Sequence, residues 1–412
     1  MSLTPADITT ARRRGHIVLI SGQALAGVGM GATLSSGALL VTQVSGSEAL
    51  SGMAATGTTV GAAIAAIPLA ALAHRAGRAP SLATGALVAA SGAGVGLLAA
   101  VLVSFPLLLV GLVMIGVGTA VNLQSRFAAT DLSEPGSAGR DLALVVWATT
   151  VGAVLGPNLI APADAFGQSL GLPSLSGPFL FTIAAQVMAA AIYLIFLRPD
   201  PLKLAERIGR EREAAGLGMV DIPKADPSGV RTGMIALALS HATMVSVMAM
   251  TPVHLVQNGA TLVVVGLTIS LHVAGMFALS PLFGWLADRL GREPIIALGQ
   301  VLLLAALLLT SFGADSQGAV MAGLIMIGLG WSASTVAASA LVAESADPLR
   351  RTAIQGRADL LMSASGAIGG AVAGPALALL AYNGLALAAV ALVVVVLIAV
   401  AFRTATRAQR MA

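Results

Sequence analysis

The chain has 412 residues, of which 57% are hydrophobic and 10% charged, with a formal net charge of +4 and no cysteine. A soluble domain is about a quarter charged, so this chain lacks the polar residues to cover a water-facing surface. The missing cysteine excludes disulfides, thiolate metal sites and a cysteine nucleophile.

Mean hydropathy is +0.93 and glycine reaches 47 residues, which suits helices packed closely in a bilayer. The N-terminal stretch MSLTPADITTARRRGH is polar and then basic, and the apolar run from Ile17 to about Val44 is too long for the core of a signal peptide. It reads as a retained first span. A spanning helix needs about 20 mostly apolar residues. Runs of that kind predict spans near 17–43, 51–73, 81–103, 106–129, 142–163 and 178–197, then near 233–256, 262–286, 294–312, 318–342, 359–381 and 384–402. The predicted fold is an all-α membrane protein: twelve transmembrane helices in two six-helix bundles, residues 1–197 and 233–412, joined by a loop over 198–232.

Charge placement supplies an independent check. The 22 basic residues all fall at one set of alternate span ends, from Arg12, Arg13 and Arg14 to Arg403, Arg407 and Arg410, whereas the opposite loops carry only Glu48, Asp164 and Asp315. The positive-inside rule then places both termini and the 198–232 loop in the cytoplasm, and the placement at span ends argues against nucleic-acid binding. In that loop RPDPLKLAERIGREREAAGLG reads as a short amphipathic surface helix with a Glu206–Arg210 pair. The following DIPKADPSG reads as irregular linker.

The halves repeat. Arg75, Gly77, Arg78 and Pro80 match Arg289, Gly291, Arg292 and Pro294 at an offset of 214. Asp141, Gly152, Gly156 and Pro157 match Asp359, Gly370, Gly374 and Pro375 at an offset of 218. Parallel six-span repeats with a substrate site near mid-membrane are a transporter arrangement.

GWLADRLGRE over 284–293, with Gly284, Asp288, Arg289, Gly291 and Arg292, resembles the signature that follows the second and eighth spans in the major facilitator superfamily. The first-half copy departs from it at Ala70 and His74. Gly152, Gly156 and Pro157 resemble the family's span-five pattern, shortened because Ile160 and Ala161 replace its closing glycines. The resemblance implies a secondary transporter, and the shortened pattern implies export. The family's span-four arginine would align near Leu112 and is missing.

Gly284, Asp288, Arg289, Gly291 and Arg292, with Arg75, Gly77, Arg78, Asp141 and Asp359, are therefore candidates for a cytoplasmic gate. Asp141 and Asp359 sit where a carboxylate also simply favours a helix N-terminus. Gly152, Gly156 and Pro157, with Gly370, Gly374 and Pro375, predict close-packed faces with a bend. The ionisable groups within the spans are His241, His254 and His272. They are candidates for a coupling proton or a cavity lining, with packing roles as the alternative. Their depths spread over about 20 Å, which excludes a common metal centre. Gln23, Asn122 and Gln300 should face protein or a cavity, and Arg126 with Asp131 reads as a charge pair at the inner end of span four.

The composition and the resemblance together predict a proton-coupled exporter of small apolar or weakly polar molecules, since no cation lies mid-span to hold an anionic substrate. The alternative is uncoupled or symport uptake of a neutral metabolite. A membrane-embedded enzyme lacks any nucleophile–base pair or His-Glu-x-x-His. No cofactor or metal is expected. The expected partners are the lipid bilayer, a small-molecule substrate and protons, for a monomer in a bacterial cytoplasmic membrane.

Overall fold

Helix is the only regular structure among the described residues, as a bilayer requires of segments that must satisfy their own backbone hydrogen bonds. The computed structural model describes residues 5–46, 50, 53–134, 136–214 and 225–411. Glu48 and residues 215–224 lie outside that set. In chain order the helices are α1 (Pro5–Ser45), α2 (Met53–Ala76), α3 (Arg78–Leu102), α4 (Phe105–Ala128), α5 (Ala138–Asn158), α6 (Ile160–Ser169) and α7 (Gly177–Phe196). They continue as α8 (Pro201–Ala214), α9 (Pro227–Gln257), α10 (Leu262–Phe277), α11 (Ser280–Leu290), α12 (Arg292–Phe312), α13 (Gln317–Ser345) and α14 (Arg351–Met411). Among the described residues nine helical stretches are long and apolar enough to cross a membrane. One of them, Pro348–Thr406, has 59 residues, enough for two crossings at about 1.5 Å per residue.

The helices fit a twelve-crossing fold, but four expected spans differ in detail. Span five is split into α5 and α6 just beyond Pro157, and span eight into α10 and α11 where Ser280-Pro281 begins a new helix. Proline has no N–H to give and crowds the carbonyl four residues back; for Pro281 that carbonyl belongs to Phe277, the last residue of α10, and for Pro162 to Asn158, the last residue of α5. Spans eleven and twelve run on as α14 and bend at Ala381, whose φ is 55°. That positive-φ conformation, with ψ −178°, is one glycine adopts far more readily, and it costs an alanine about 1–3 kcal/mol. Ser311 Oγ donates to the Asn383 carbonyl (3.0 Å) and Gly384 N–H to Asn383 Oδ1 (2.9 Å), which hold the bend.

The central loop does contain the amphipathic helix, α8, with Leu202 and Leu204 buried and ion pairs Lys203–Glu206 and Arg207–Glu211. The linker ends sooner than its composition suggests. Asp226 caps α9 by accepting from Ser228 and Gly229 N–H, and Pro227 takes the first helical position, a strong start signal. Burial alone would raise the Asp226 carboxyl, but hydrogen bonds from Ser228, Arg403 and Gly229 pull it down to about 2.

The described residues fall into two units, one within Met1–Ser133, Ala148–Lys224 and Gln355–Leu360, the other within Glu134–Trp147, Ala225–Ile354 and Leu361–Ala412. Helices α5 and α14 are therefore each divided between units. Inside unit 1, α2 and α3 pack on α4; inside unit 2, α10 and α12 pack on α13. The same small residues make both contacts. A Cβ on Gly61 would overlap the Val113 carbonyl, and one on Gly116 would overlap Thr58. At the matching positions, a Cβ on Gly275 would lie 2.9 Å from the Ile325 carbonyl oxygen and one on Gly328 2.5 Å from that of His272. Lipid supplies no hydrophobic drive between helices, so such close backbone approach is what holds them.

Candidate functional site

The turn between α11 and α12 is built around Asp288. Its carboxylate accepts from Gly139 N–H (2.9 Å) and Arg140 N–H (2.8 Å), two of the orphan donors in the first turn of α5. Arg292 donates to the same carboxylate (2.5 Å) and, through two nitrogens, to Glu344 (2.6 and 3.0 Å). Gly284 permits this approach, because a Cβ there would lie 2.5 Å from the Gly139 carbonyl oxygen. Gly291, with φ 99°, makes the turn in a conformation that only glycine adopts freely. Arg289 is exposed and stacks over the Trp285 ring, 4.7 Å from its centroid. Asp141 is buried and accepts from Ser137 Oγ (3.2 Å).

The matching turn in unit 1 works differently, since His74 stands where Asp288 stands in the repeat. Asp200, just before α8, accepts from Ala79 N–H (2.8 Å) in the first turn of α3, beside Gly77, whose φ is 101°. Arg78 is buried and doubly bonded to Asp131 (2.7 and 3.0 Å), with a further bond to Gln355 (2.6 Å). Arg126 donates to Asp359 (2.7 Å). The expected Arg126–Asp131 pair is thus replaced by two pairs with other partners. Five positions apart at the end of one helix, the two side chains reach different neighbours. Asp359 lies well inside α14 rather than at its N-terminus, because the helix starts at Arg351. Arg75 is exposed and has no hydrogen-bond partner among the described residues. Asp200, Glu344 and Gln355 were missed by sequence reasoning. An Asp-Pro two residues after Arg198 was the readable signal for the first of them.

Removing the guanidinium by Arg78→Met leaves the Asp131 carboxylate buried without its partner, with an expected cost of about 3–5 kcal/mol. The double variant Arg78→Met/Asp131→Leu should recover most of that loss. Thermal unfolding of the two purified variants checks both parts.

The glycine–proline segments are not equivalent. On α5, a Cβ at Gly152 would overlap the Gly27 backbone, and one at Gly31 would lie 3.1 Å from Gly156 Cα. Helices α1 and α5 therefore meet through Gly27 and Gly31 on Gly152 and Gly156. The Pro157 side chain lies outside the described set, and the helix ends at the next residue. On α14, Gly370 makes an ordinary contact with Val245 and Gly374 has nothing within 4 Å. The close approach to α9 uses Gly366, against His241, and Gly369, against Ala242. Pro375 lies inside continuous helix.

The three histidines sit in three environments of unit 2. His241 is half-buried, and its Nδ1 accepts from Trp331 Nε1 (3.1 Å), while Phe277 meets the Trp331 ring edge-on at 5.8 Å. His272 is fully buried and donates from Nδ1 to the Leu324 carbonyl (2.7 Å). His254 stacks on Tyr382 at 4.0 Å and donates to the Ala314 carbonyl (2.8 Å). No metal-binding group of three is found among the described residues. In unit 1 Gln23 is buried, donating to Thr149 Oγ1 (3.0 Å) and accepting from Ser125 Oγ (2.9 Å). Asn122 is half-buried, and its amide has no protein partner among the described residues. Gln300 donates to both Ser240 and Ser334 (2.8 Å each).

Comparison with known proteins identifies this arrangement. The family model described as Major Facilitator Superfamily matches residues 233–411. The chain is 38% identical over 375 residues to the MFS-type transporter YddS of Bacillus subtilis (strain 168), covering 90% of this chain and 86% of that one. It is 28% identical over 357 residues to the riboflavin transporter RfnT of Brucella anthropi, covering 86% of each. Its fold is similar to the crystal structure of the human organic anion transporter MFSD10, with a TM-score of 0.75 at 17% identity over 94% of this chain and 99% of that one. The chain belongs to the major facilitator superfamily and is an integral membrane transporter, not an enzyme.

Proposed function

We propose that the chain exports small, weakly polar molecules across a bacterial cytoplasmic membrane in exchange for protons. Both termini face the cytoplasm in this reading. One observation carries it. Among the described residues, the half-buried polar side chains deep in the spans include Asn122 and the His241–Trp331 pair, whereas the arginines of the ion pairs, Arg78, Arg126 and Arg292, sit at or near helix ends. An anionic substrate would need a deep cation. A proton needs only a histidine that water can reach. Of the three histidines, His241 has the partial exposure such a role demands. His272 is tied to Leu324 and His254 to Tyr382 and Ala314.

The gate in this proposal is the pair of turns: Gly284, Asp288, Arg289, Gly291 and Arg292, and Arg75, Gly77 and Arg78, with Asp141 and Asp359. Helix α5 begins at Ala138, has its first turn capped by Asp288, and runs on into the unit-1 segment that starts at Ala148. Alternating access must therefore break the Asp288 cap or bend α5, so that the cap favours one state over the other.

The relative RfnT is by its name a riboflavin transporter, and a flat neutral ring suits the Trp331–Phe277 corner. That observation favours a second reading, uptake of a neutral aromatic metabolite. Proteoliposomes decide between them. Acidifying the side opposite the loaded substrate should accelerate its exit severalfold in the native protein, and His241→Gln should abolish that response while leaving uncoupled exchange in place. Exit that ignores the gradient in the native protein sinks the export reading.

A further inference from the structure

Helix α1 carries a stripe that none of these roles uses. Thr10, Arg13, Arg14, Ile17, Val18 and Ser21 recur at the three- and four-residue spacing of one helical face. Together with Ile192 and Phe196, one turn apart on α7, they line a groove of about 480 Å³. The groove is polar at one end and apolar along its length. Arg13 and Arg14 are both exposed. Arg14 uses only its Nε, which donates to the Phe196 carbonyl (3.1 Å), and this leaves its two terminal nitrogens for another acceptor. Arg13 has no protein hydrogen-bond partner among the described residues. No carboxylate lines the groove.

Below the arginines the walls change character. Ile17 is 56% exposed on α1 and Phe196 49% exposed on α7, and α7 is long and apolar enough to cross a membrane. In a soluble protein such side chains would be a liability; in a bilayer they are the surface that acyl chains cover. The helical rise puts Ser21 about 10–12 Å deeper than the guanidinium groups. That separation matches a charged headgroup above and hydrocarbon below.

We propose that this groove binds one anionic glycerophospholipid. Its phosphate is held by Arg13 and Arg14, and an acyl chain lies along Ile17, Val18, Ile192 and Phe196. Two guanidinium groups without a neighbouring carboxylate favour a headgroup of net negative charge over a zwitterion, whose own cation would find no partner here. A free inorganic anion would satisfy the arginines and leave the apolar walls bare, so the lipid is the better occupant. The site rests on the membrane embedding of α1 and α7 and not on the direction or coupling of transport.

The test uses the full-length protein in detergent, titrated with dioleoylphosphatidylglycerol or dioleoylphosphatidylcholine and read by native mass spectrometry. The native protein should retain one phosphatidylglycerol in preference to phosphatidylcholine. Arg13→Gln/Arg14→Gln should bind that lipid roughly thirtyfold more weakly, as the loss of two interfacial cations implies. The exposed Arg231→Gln, outside the groove, should leave binding unchanged. Equal loss in the Arg231 variant would mean diffuse charge attraction and would overturn the proposal. Equal retention of both lipids by the native protein would overturn it, as would full displacement by inorganic phosphate at matched concentration. Because Arg13 and Arg14 are exposed, the double variant should unfold at the native temperature, and that measurement separates lost binding from lost fold.

Discussion

Asp288→Asn is expected to slow transport by about tenfold or more while the protein still folds. The carboxylate accepts from two backbone N–H groups in the first turn of α5 and from Arg292. A hydrogen bond to a charged group contributes about 1.5–3 kcal/mol, and a negative charge at a helix N-terminus adds about 0.3–1 kcal/mol. Asparagine keeps one acceptor and loses the charge. A net loss of about 2 kcal/mol from one conformational state changes the ratio of states by roughly thirtyfold. Arg292 keeps its two bonds to Glu344, so the fall in unfolding temperature should be small. The absence of native cysteine makes the state readable. In an Arg140→Cys background, Asp288→Asn should raise the rate of maleimide labelling as it lowers the rate of transport in proteoliposomes. Unchanged labelling and unchanged transport together would reduce Asp288 to a helix cap with no part in the cycle.

The Asp288 turn was legible in the sequence because glycine spacing and the Asp-Arg pair leave few other uses for those residues. What it binds was not legible. Gly139 and Arg140 contribute backbone N–H groups, and backbone donors leave no trace in residue identity. The same limit explains Arg78. Its repeat partner Arg292 was visible, yet its bonds go to Asp131 and Gln355, residues 53 and 277 positions away. Local pattern carries no information about such separations. Span number followed from hydrophobic runs and charge placement, since bilayer thickness and the cost of moving arginine across it act on sequence directly. The break within span eight did not follow, although Pro281 marks it, because proline is tolerated within many membrane helices. Pro375 shows that tolerance here, inside the helical stretch of α14 that precedes the bend at Ala381. Asp200, which accepts from Ala79 N–H in the first turn of α3, lies outside the repeat and so had no counterpart to reveal it.

Gly152→Ala and Gly374→Ala make the strongest contrast between sites that the sequence presents as twins. A Cβ at Gly152 would overlap the Gly27 backbone, and backbone cannot rotate away as a side chain can. Helix α1 must then move outward from α5, opening the neighbouring contact between Gly31 and Gly156. The expected cost is about 2–3 kcal/mol, the range for overpacking a close contact, with a lower unfolding temperature and a smaller monodisperse fraction on purification. Gly374 has nothing within 4 Å. Alanine there is expected to stabilise α14 by about 0.5–1 kcal/mol, because glycine is the poorer helix former. Transport then separates two uses of the open space. If Gly374→Ala is more stable and transports normally, the glycine has no contact to make in any state of the cycle. If it is more stable yet transports slowly, the gap beside Gly374 must close against another helix in a second conformation, as Gly152 is closed in this one. A loss of stability at Gly374 equal to that at Gly152 is the result that would defeat the asymmetry.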